Sequence, residues 1–244
     1  MSSKTILTLL CCLFFLNSCK SIKEEEIIPA EVLYKEGEEL LQKKKYAKAS
    51  EKFFQIYLQH PGNSMTPEAQ LKEAECLYLD KNYPEAIGVL DNFIYLYPVH
   101  KKIIYAYYFK GLSYFAQVTD IKYDTTAVFN GKQVFEKLLL KFPNNEYTND
   151  VKEKIAVLDD NLKSKSLYIA KFYIKNNNPV AAINMLKEIL NKNENTIDPV
   201  LPESLFRLAE CYKMLGLIDE SIKYSNIFFT SYPKHPLASK LNKE

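Results

Sequence analysis

One short string occurs twice in this chain of 244 residues, as Ala74-Glu75-Cys76 and again as Ala209-Glu210-Cys211. The copies lie 135 residues apart (209 minus 74). That is close to four periods of about 34 residues, the length of a helix-turn-helix unit that stacks on its neighbours into a solenoid. Such a unit cannot bury its apolar face alone, so a chain built from it folds as an array. Composition agrees with long helices and a sizeable core, since 47% of the residues are hydrophobic and only 6 are Gly.

A finer pattern rides on the period. A small residue sits midway along a first helix, an aromatic opens a second, a small residue follows three later, a large apolar one four after that, and Pro closes the unit. This is the pattern of the tetratricopeptide (TPR) repeat. The first unit supplies Gly37, Tyr46, Ala49, Phe53 and Pro61; the second supplies Ala74, Tyr83, Ala86, Leu90 and Pro98. The third has Gly111, Phe135 and Pro143, with roughly eight extra residues around Val118 to Thr126. The fourth has Ala170, Ala182 and Leu186 without a closing Pro, and the fifth has Ala209, Ile218, Ser221 and Pro233. Small residues let paired helices approach, and large ones fill the gap to the next unit. The expected fold is therefore an all-α, TPR-type solenoid of about five repeats. Between Pro143 and Pro179, Val151, Ile155, Leu158 and Leu162 form one apolar helical stripe. This adds helix ahead of the fourth repeat and leaves open whether one helix runs on to about Lys175. Leu237 to Leu241 is expected to cap the array.

The first residues read as an export signal. Lys4 supplies a positive start, and Ile6 to Leu16 is an apolar run of 11 residues, too short to span a bilayer. Leu16-Asn17-Ser18-Cys19 resembles the bacterial lipobox, in which the Cys is acylated and becomes the first mature residue. The expected division is a signal peptide over 1–18, a lipidated tether over 19–28, repeats one to three over 29–144, and the extra helix, repeats four and five and the cap over 145–244. Lys20 rather than Asp follows Cys19, which in the usual bacterial sorting rule favours the outer membrane. Cys11 and Cys12 leave with the signal. Cys76 and Cys211 hold the same position in units that do not touch, so they are expected to be buried and unpaired.

Reaction chemistry is not written in this chain. It has no paired-Cys motif, no HExxH, no Gly-rich phosphate loop and no nucleophile elbow. His60, His100 and His235 all sit near a repeat-closing Pro and read as turn residues. No catalytic residue, metal or cofactor is expected. The formal charge of +2, and a single arginine, Arg207, among 32 basic residues, argue against a nucleic-acid partner.

In such superhelices the first helix of each pair lines the concave surface, with a stripe at spacings of four and three. The stripe reads Tyr34, Glu38, Leu41, then Leu71, Glu75, Tyr78, then Tyr105, Tyr108, Leu112, Phe115. It continues as Leu167, Lys171, Ile174 and Phe206, Glu210, Lys213. It is apolar and aromatic over three repeats and more charged in the fifth. An apolar concavity suits a hydrophobic peptide, and Lys72, Lys101, Lys102 or Lys110 would meet a terminal carboxylate. The same rings would equally pack against neighbouring helices or the extra helix, and the sequence leaves both open.

On this framework the chain resembles the BamD family, lipoproteins of the bacterial outer-membrane β-barrel assembly machinery, over essentially its whole length. Phe93-Ile94-Tyr95-Leu96-Tyr97-Pro98-Val99-His100, then Tyr105, Tyr108, Lys110, Gly111 and Leu112, resemble the family's F-I-x-L-x-P-x-H and Y-x-x-Y-x-[RK]-G-L. Phe142-Pro143-Asn144, Tyr147 and Asp150 match F-P-N-S-x-Y-x-x-D, and Ala181, Ala182, Ile183 and Asn184 match A-A-I-N. Two departures stand out: Met185 follows A-A-I-N where the family has Arg, and Tyr123 precedes Asp124 where the inserted loop has Arg. The resemblance implies a lipid anchor at Cys19 on the periplasmic face of the outer membrane. It implies binding of the POTRA domains of a BamA-type barrel subunit, and of other assembly lipoproteins, with Asn184, Met185, Phe206, Arg207 and Lys213 at the partner interface. It implies that the N-terminal groove (Tyr34, Leu41, Leu71, Tyr78, Tyr105, Tyr108, Leu112, Phe115) receives the C-terminal segment of unfolded outer-membrane proteins. A different periplasmic TPR scaffold, serving the cell wall or division, is the alternative.

Overall fold

The small-then-large pattern becomes a row of antiparallel helix pairs. The computed structural model describes residues 27–120, 124–191 and 198–241, so the expectations for the signal, Cys19 and Tyr123 lie outside the described residues. Among the described residues there are eleven helices and no strand. They are α1 (Ala30–Gln42), α2 (Tyr46–Gln59), α3 (Thr66–Leu79), α4 (Tyr83–Leu96), α5 (Ile103–Phe115), α6 (Thr126–Lys141), α7 (Thr148–Lys175), α8 (Pro179–Asn191), α9 (Leu201–Met214), α10 (Ile218–Ser231) and α11 (Ala238–Leu241). Each of the first ten packs mainly on the helices before and after it, giving five hairpins in an all-α TPR-type solenoid with α11 at its end.

α7 settles the open point about the extra helix. It runs unbroken for 28 residues, so the extra segment and the first helix of the fourth hairpin are one element. The equivalent small residues Ala74, Gly111, Ala170 and Ala209 therefore step by 37, 59 and 39 residues. The two Ala-Glu-Cys strings are three repeats apart, as their places in the second and fifth units require, although 135 residues is close to four average periods. The long middle step is taken up by the linker before α6 and the N-terminal half of α7.

Two kinds of turn alternate. Inside four hairpins one residue adopts the left-handed conformation: Lys44 (φ 55°), Lys81 (φ 63°), Asn177 (φ 54°) and Gly216 (φ 73°). The next N–H bonds back across it, as Asn82 does to the Leu77 carbonyl (2.8 Å) and Leu217 to that of Tyr212 (3.0 Å), closing a Schellman-type end. Between hairpins a side chain accepts the N–H two residues on: Asn63 from Met65 (2.8 Å), Asn145 from Tyr147 (2.7 Å) and Asp198 from Val200 (2.9 Å). His100 and His235 do the same through Nδ1, for Lys102 and Leu237, with each ring edge-on to Phe93 or Phe228. These two histidines are turn residues, two places after Pro98 and Pro233.

Packing follows residue size. A Cβ on Gly111 would lie 2.2 Å from Phe135 Cε1, and one on Gly37 would lie 2.8 Å from Phe53. Both glycines are there because a phenyl ring lies directly on the backbone. Where the large residue is leucine the small one is alanine, as with Ala74 and Leu90 or Ala170 and Leu186, each pair sharing one apolar cluster. α7 belongs to two clusters. Val151 and Leu158 join the core of repeats two and three, while Leu167 and Ala170 join that of repeats four and five. Between them Lys163 forms a 2.6 Å ion pair with Asp198, whose side chain is 2% exposed, tying α7 to the turn before α9. No described helix is long and apolar enough to cross a membrane.

Candidate functional site

α3 presents Glu68, Leu71, Lys72 and Glu75 on one face, and α5 brings Ile104 and Tyr105 alongside, preceded by Lys101 and Lys102. Glu146 and Tyr147, in the turn before α7, close the far side. Together these ten residues line a cavity of about 410 Å³, within the size range of ligand pockets.

Its charges are mostly matched. Lys72 pairs with Glu75 at 3.0 Å, and Lys102 reaches from the α5 end to Glu68. Burial opposes the Lys72 ammonium, but its hydrogen bond to Glu75 and that residue's charge outweigh burial and raise its pKa. Lys101 is exposed and makes no ion pair among the described residues. The Tyr105 ring stacks on Phe109 at 5.2 Å, and burial, followed by the nearby Glu75 carboxylate, holds its hydroxyl above the usual phenol range. The cavity thus offers aromatic and aliphatic walls, a neutral phenol, and two charges outside any ion pair among the described residues, the Lys101 ammonium and the Glu146 carboxylate. That chemistry suits non-covalent capture of a short segment carrying an apolar group and a carboxylate.

The expected groove residues divide between cavity and core. Leu71 and Tyr105 line the cavity, although Leu71 is only 3% exposed. Tyr108 instead stacks on Tyr147 (4.1 Å, 8°) and donates its hydroxyl to Asp150 at 2.8 Å. Burial, then that hydrogen bond, raises its pKa. Tyr78 packs between Tyr83 and Phe109, and Tyr34 meets Phe53 edge-on at 5.4 Å. Leu112 and Phe115 pack on the middle core, and Leu41 on the first. Of the four lysines, Lys72, Lys101 and Lys102 line the cavity, while Lys110 pairs with Asp91 on α4. Ile104, Glu146 and Tyr147 were not anticipated as lining. The signal for the last two was present: they follow Pro143 by three and four residues, as Lys101 and Lys102 follow Pro98.

In the C-terminal repeats Asn184 and Lys213 are exposed, and Met185 is half-buried against the core. Phe206 corrects the expectation of an outward ring: it is 3% exposed, packed against Phe228 and covered by the Arg207 guanidinium at 5.3 Å. Arg207 bonds Glu210 (2.8 Å) and Glu203 (3.2 Å), and Lys171 of α7 also reaches Glu203 at 2.9 Å. Burial disfavours the Glu203 carboxylate, yet Lys171 and then Arg207 hold its pKa below the usual value. Cys76 and Cys211 are free and buried. Burial, then Glu75 or Glu210, pushes their thiols up to about 12 and about 11, so both stay protonated at neutral pH.

Comparison with known proteins adds identity. The profile of the family described as YfiO, outer membrane lipoprotein, matches residues 27–227. The outer membrane protein assembly factor BamD of Rickettsia prowazekii (strain Madrid E) is 44% identical over 220 residues, 89% of this chain and 87% of that protein. The BamD of Caulobacter vibrioides is 32% identical over 205 residues, 84% of this chain and 67% of its own length. Among solved structures, the TPR2AB-domain:pHSP90 complex of yeast Sti1 aligns with 84% of this chain and 78% of that one, at 13% identity and a TM-score of 0.45.

Proposed function

The chain belongs to the YfiO family of outer membrane lipoproteins, together with the BamD assembly factors, and from that premise we propose that it is an outer membrane protein assembly factor acting as a TPR adaptor. Cys19 is acylated and holds the chain at the periplasmic face of the outer membrane. Repeats one to three receive the C-terminal segments of unfolded outer-membrane proteins. Repeats four and five, through Asn184, Met185, Arg207 and Lys213, dock the POTRA domains of a BamA-type barrel subunit. Phe206 supports that surface from beneath by carrying the Arg207 guanidinium.

One observation carries the reading of the groove: Tyr105 and the unpaired Lys101 line the same cavity. A peptide ending in an aromatic residue would place its ring by Tyr105 and its carboxylate by Lys101. Rings give large rigid contact with few rotors to freeze, and they dominate such contacts. The test is a fluorescence titration of a labelled C-terminal peptide of an outer-membrane β-barrel protein. Tyr105→Ala should weaken binding by about 1–2 kcal/mol, roughly tenfold. Lys101→Ala should erase the preference for a free over an amidated C-terminus. Equal affinity for wild type and Tyr105→Ala refutes the groove. Co-purification of a barrel subunit, lost in Arg207→Ala/Lys213→Ala, separates this role from that of a cell-wall or division scaffold. Mass spectrometry of the mature chain reads acylation at Cys19, which Cys19→Ala should abolish.

A further inference from the structure

In the second helix of each hairpin, the residue five places after the large core position has one fixed place in the unit. After Phe53, Leu90 and Phe135 these residues are Leu58, Tyr95 and Leu140, and they are 58%, 82% and 84% exposed. The equivalents in repeats four and five are polar, Asn191 and Thr230. Five residues turn a helix by about 500°, so these side chains point about 140° away from the core residue. Each lies in the last turn of its helix, at the edge where hairpins join. Val99, in the turn beyond Tyr95, is 95% exposed. Single exposed apolar residues need no explanation. A large apolar residue repeated in phase through three units, and replaced by a polar one in the other two, is not explained by packing.

The described chain begins at the same edge. Ile28 donates its N–H to Gln59 Oε1 at 3.0 Å, and its carbonyl accepts from His60 Nε2 at 2.8 Å. Residues 27–29 are thereby clasped to the end of α2, beside Leu58. We infer that this edge of repeats one to three lies on the lipid surface, with Leu58, Tyr95 and Leu140 among the headgroups. The inference rests on the acylation of Cys19 proposed above. Ile27 lies eight positions after Cys19 (27 minus 19), and so short a segment spans at most about 28 Å when fully extended. An acylated Cys19 therefore keeps the clasped edge within that distance of the bilayer. Tyrosine favours membrane–water interfaces, and exposed leucines add apolar area at the acyl boundary. Lys141, next to Leu140, is exposed, and its ammonium, 5.6 Å above the Tyr107 ring, can swing from that ring to lipid phosphates.

The test uses the acylated full chain in vesicles of phosphatidylethanolamine and phosphatidylglycerol that carry a quencher on the lipid. An environment-sensitive label is attached at Val99→Cys or at Lys234→Cys, the same turn of the fifth repeat; the native Cys76 and Cys211 are buried. The label at 99 should be quenched about twofold more strongly than the one at 234. The exposed triple variant L58S/Y95S/L140S, checked for its fold by circular dichroism, should abolish that difference. Equal quenching at both positions in an acylated chain overturns the inference alone. An unmodified Cys19 in the same sample overturns the acylation reading beneath it. Shielding at 99 that appears only after barrel subunit is added assigns the edge to protein instead and also overturns it.

Discussion

α3 and α9 are two versions of one helix. Pro67-Glu68-Ala69-Gln70-Leu71-Lys72-Glu73-Ala74-Glu75-Cys76 aligns with Pro202-Glu203-Ser204-Leu205-Phe206-Arg207-Leu208-Ala209-Glu210-Cys211 without a gap. Both helices have 14 residues, and the correspondence runs on to Pro98 and His100 against Pro233 and His235. The concave faces nevertheless differ. Glu68 pairs forward with Lys102 of the next hairpin, and a cavity opens beside Tyr105. Glu203 pairs backward with Lys171, and Arg207 links it to Glu210 in a closed ladder of charge. The hairpin of α3 is followed by another full hairpin, and that of α9 only by four helical residues of cap. A helix of this kind does not carry a site by itself; its successor completes it.

The sharpest way to break the comparison is at the turn before each helix. Asp198 accepts the Val200 N–H and holds Lys163, whereas its counterpart Asn63 accepts the Met65 N–H and holds no cation among the described residues. Asp198→Ala should destabilise the chain by about 2–3 kcal/mol, because it leaves the mostly buried Lys163 ammonium with only the exposed Asp160, 3.5 Å away, as partner. Asn63→Ala should cost about 1 kcal/mol, the loss of a capping acceptor. Urea midpoints that move equally for both would remove the distinction.

The next test exchanges buried groups on the opposite face. Gln70 and Glu73 stand where α9 has the buried Leu205 and Leu208, and Gln70 Oε1 has no hydrogen-bond partner among the described residues. Burial, and secondarily Glu85, raise the Glu73 pKa from 4.5 to about 8. The unfolded chain ionises Glu73 at lower pH than the folded chain does. Stability from this group is thus greatest below pH 4.5, declines as pH rises, and levels off above about 8. Glu73→Leu should therefore stabilise the chain at pH 7 by about 2–3 kcal/mol, and both it and Glu73→Gln should flatten the profile between those limits. An unchanged slope of urea midpoint against pH would count against this assignment.

The smallest effect belongs to the turns inside the two hairpins. Lys81 and Gly216 hold the same left-handed position. Lys81→Gly should gain, and Gly216→Lys lose, about 1 kcal/mol, read from thermal melts of the two variants.

The hairpins, their small–large pairs and the buried cysteines were legible in the sequence because each is set by spacing within one or two units. The count of five repeats held because it rests on the small–large pattern within each unit; the 135-residue offset is close to four periods only because a linker and half of α7 add up to roughly one more. Periodicity also names a helix face without naming what arrives there from elsewhere in the chain. Tyr105 and Tyr108 are three residues apart on one stripe. Tyr147 and Asp150, about forty residues downstream, capture Tyr108 and leave Tyr105 to the cavity. Leu71 and Phe206 share a stripe position, and both are buried because the adjoining helices close over that position in each unit.

α7 has a mechanical consequence. At 1.5 Å per residue its 28 residues form a rod of about 42 Å. Its first half is set in the packing of repeats two and three, and its second half is set in that of repeats four and five. A tilt of about 5° at one end displaces the other by about 4 Å over that length. Tyr147 precedes the rod at the cavity, and Lys171 lies near its far end beside Glu203. One continuous helix thus spans both packing blocks, so in the adaptor proposed above the peptide-binding repeats and the partner-binding repeats would share a single rigid element.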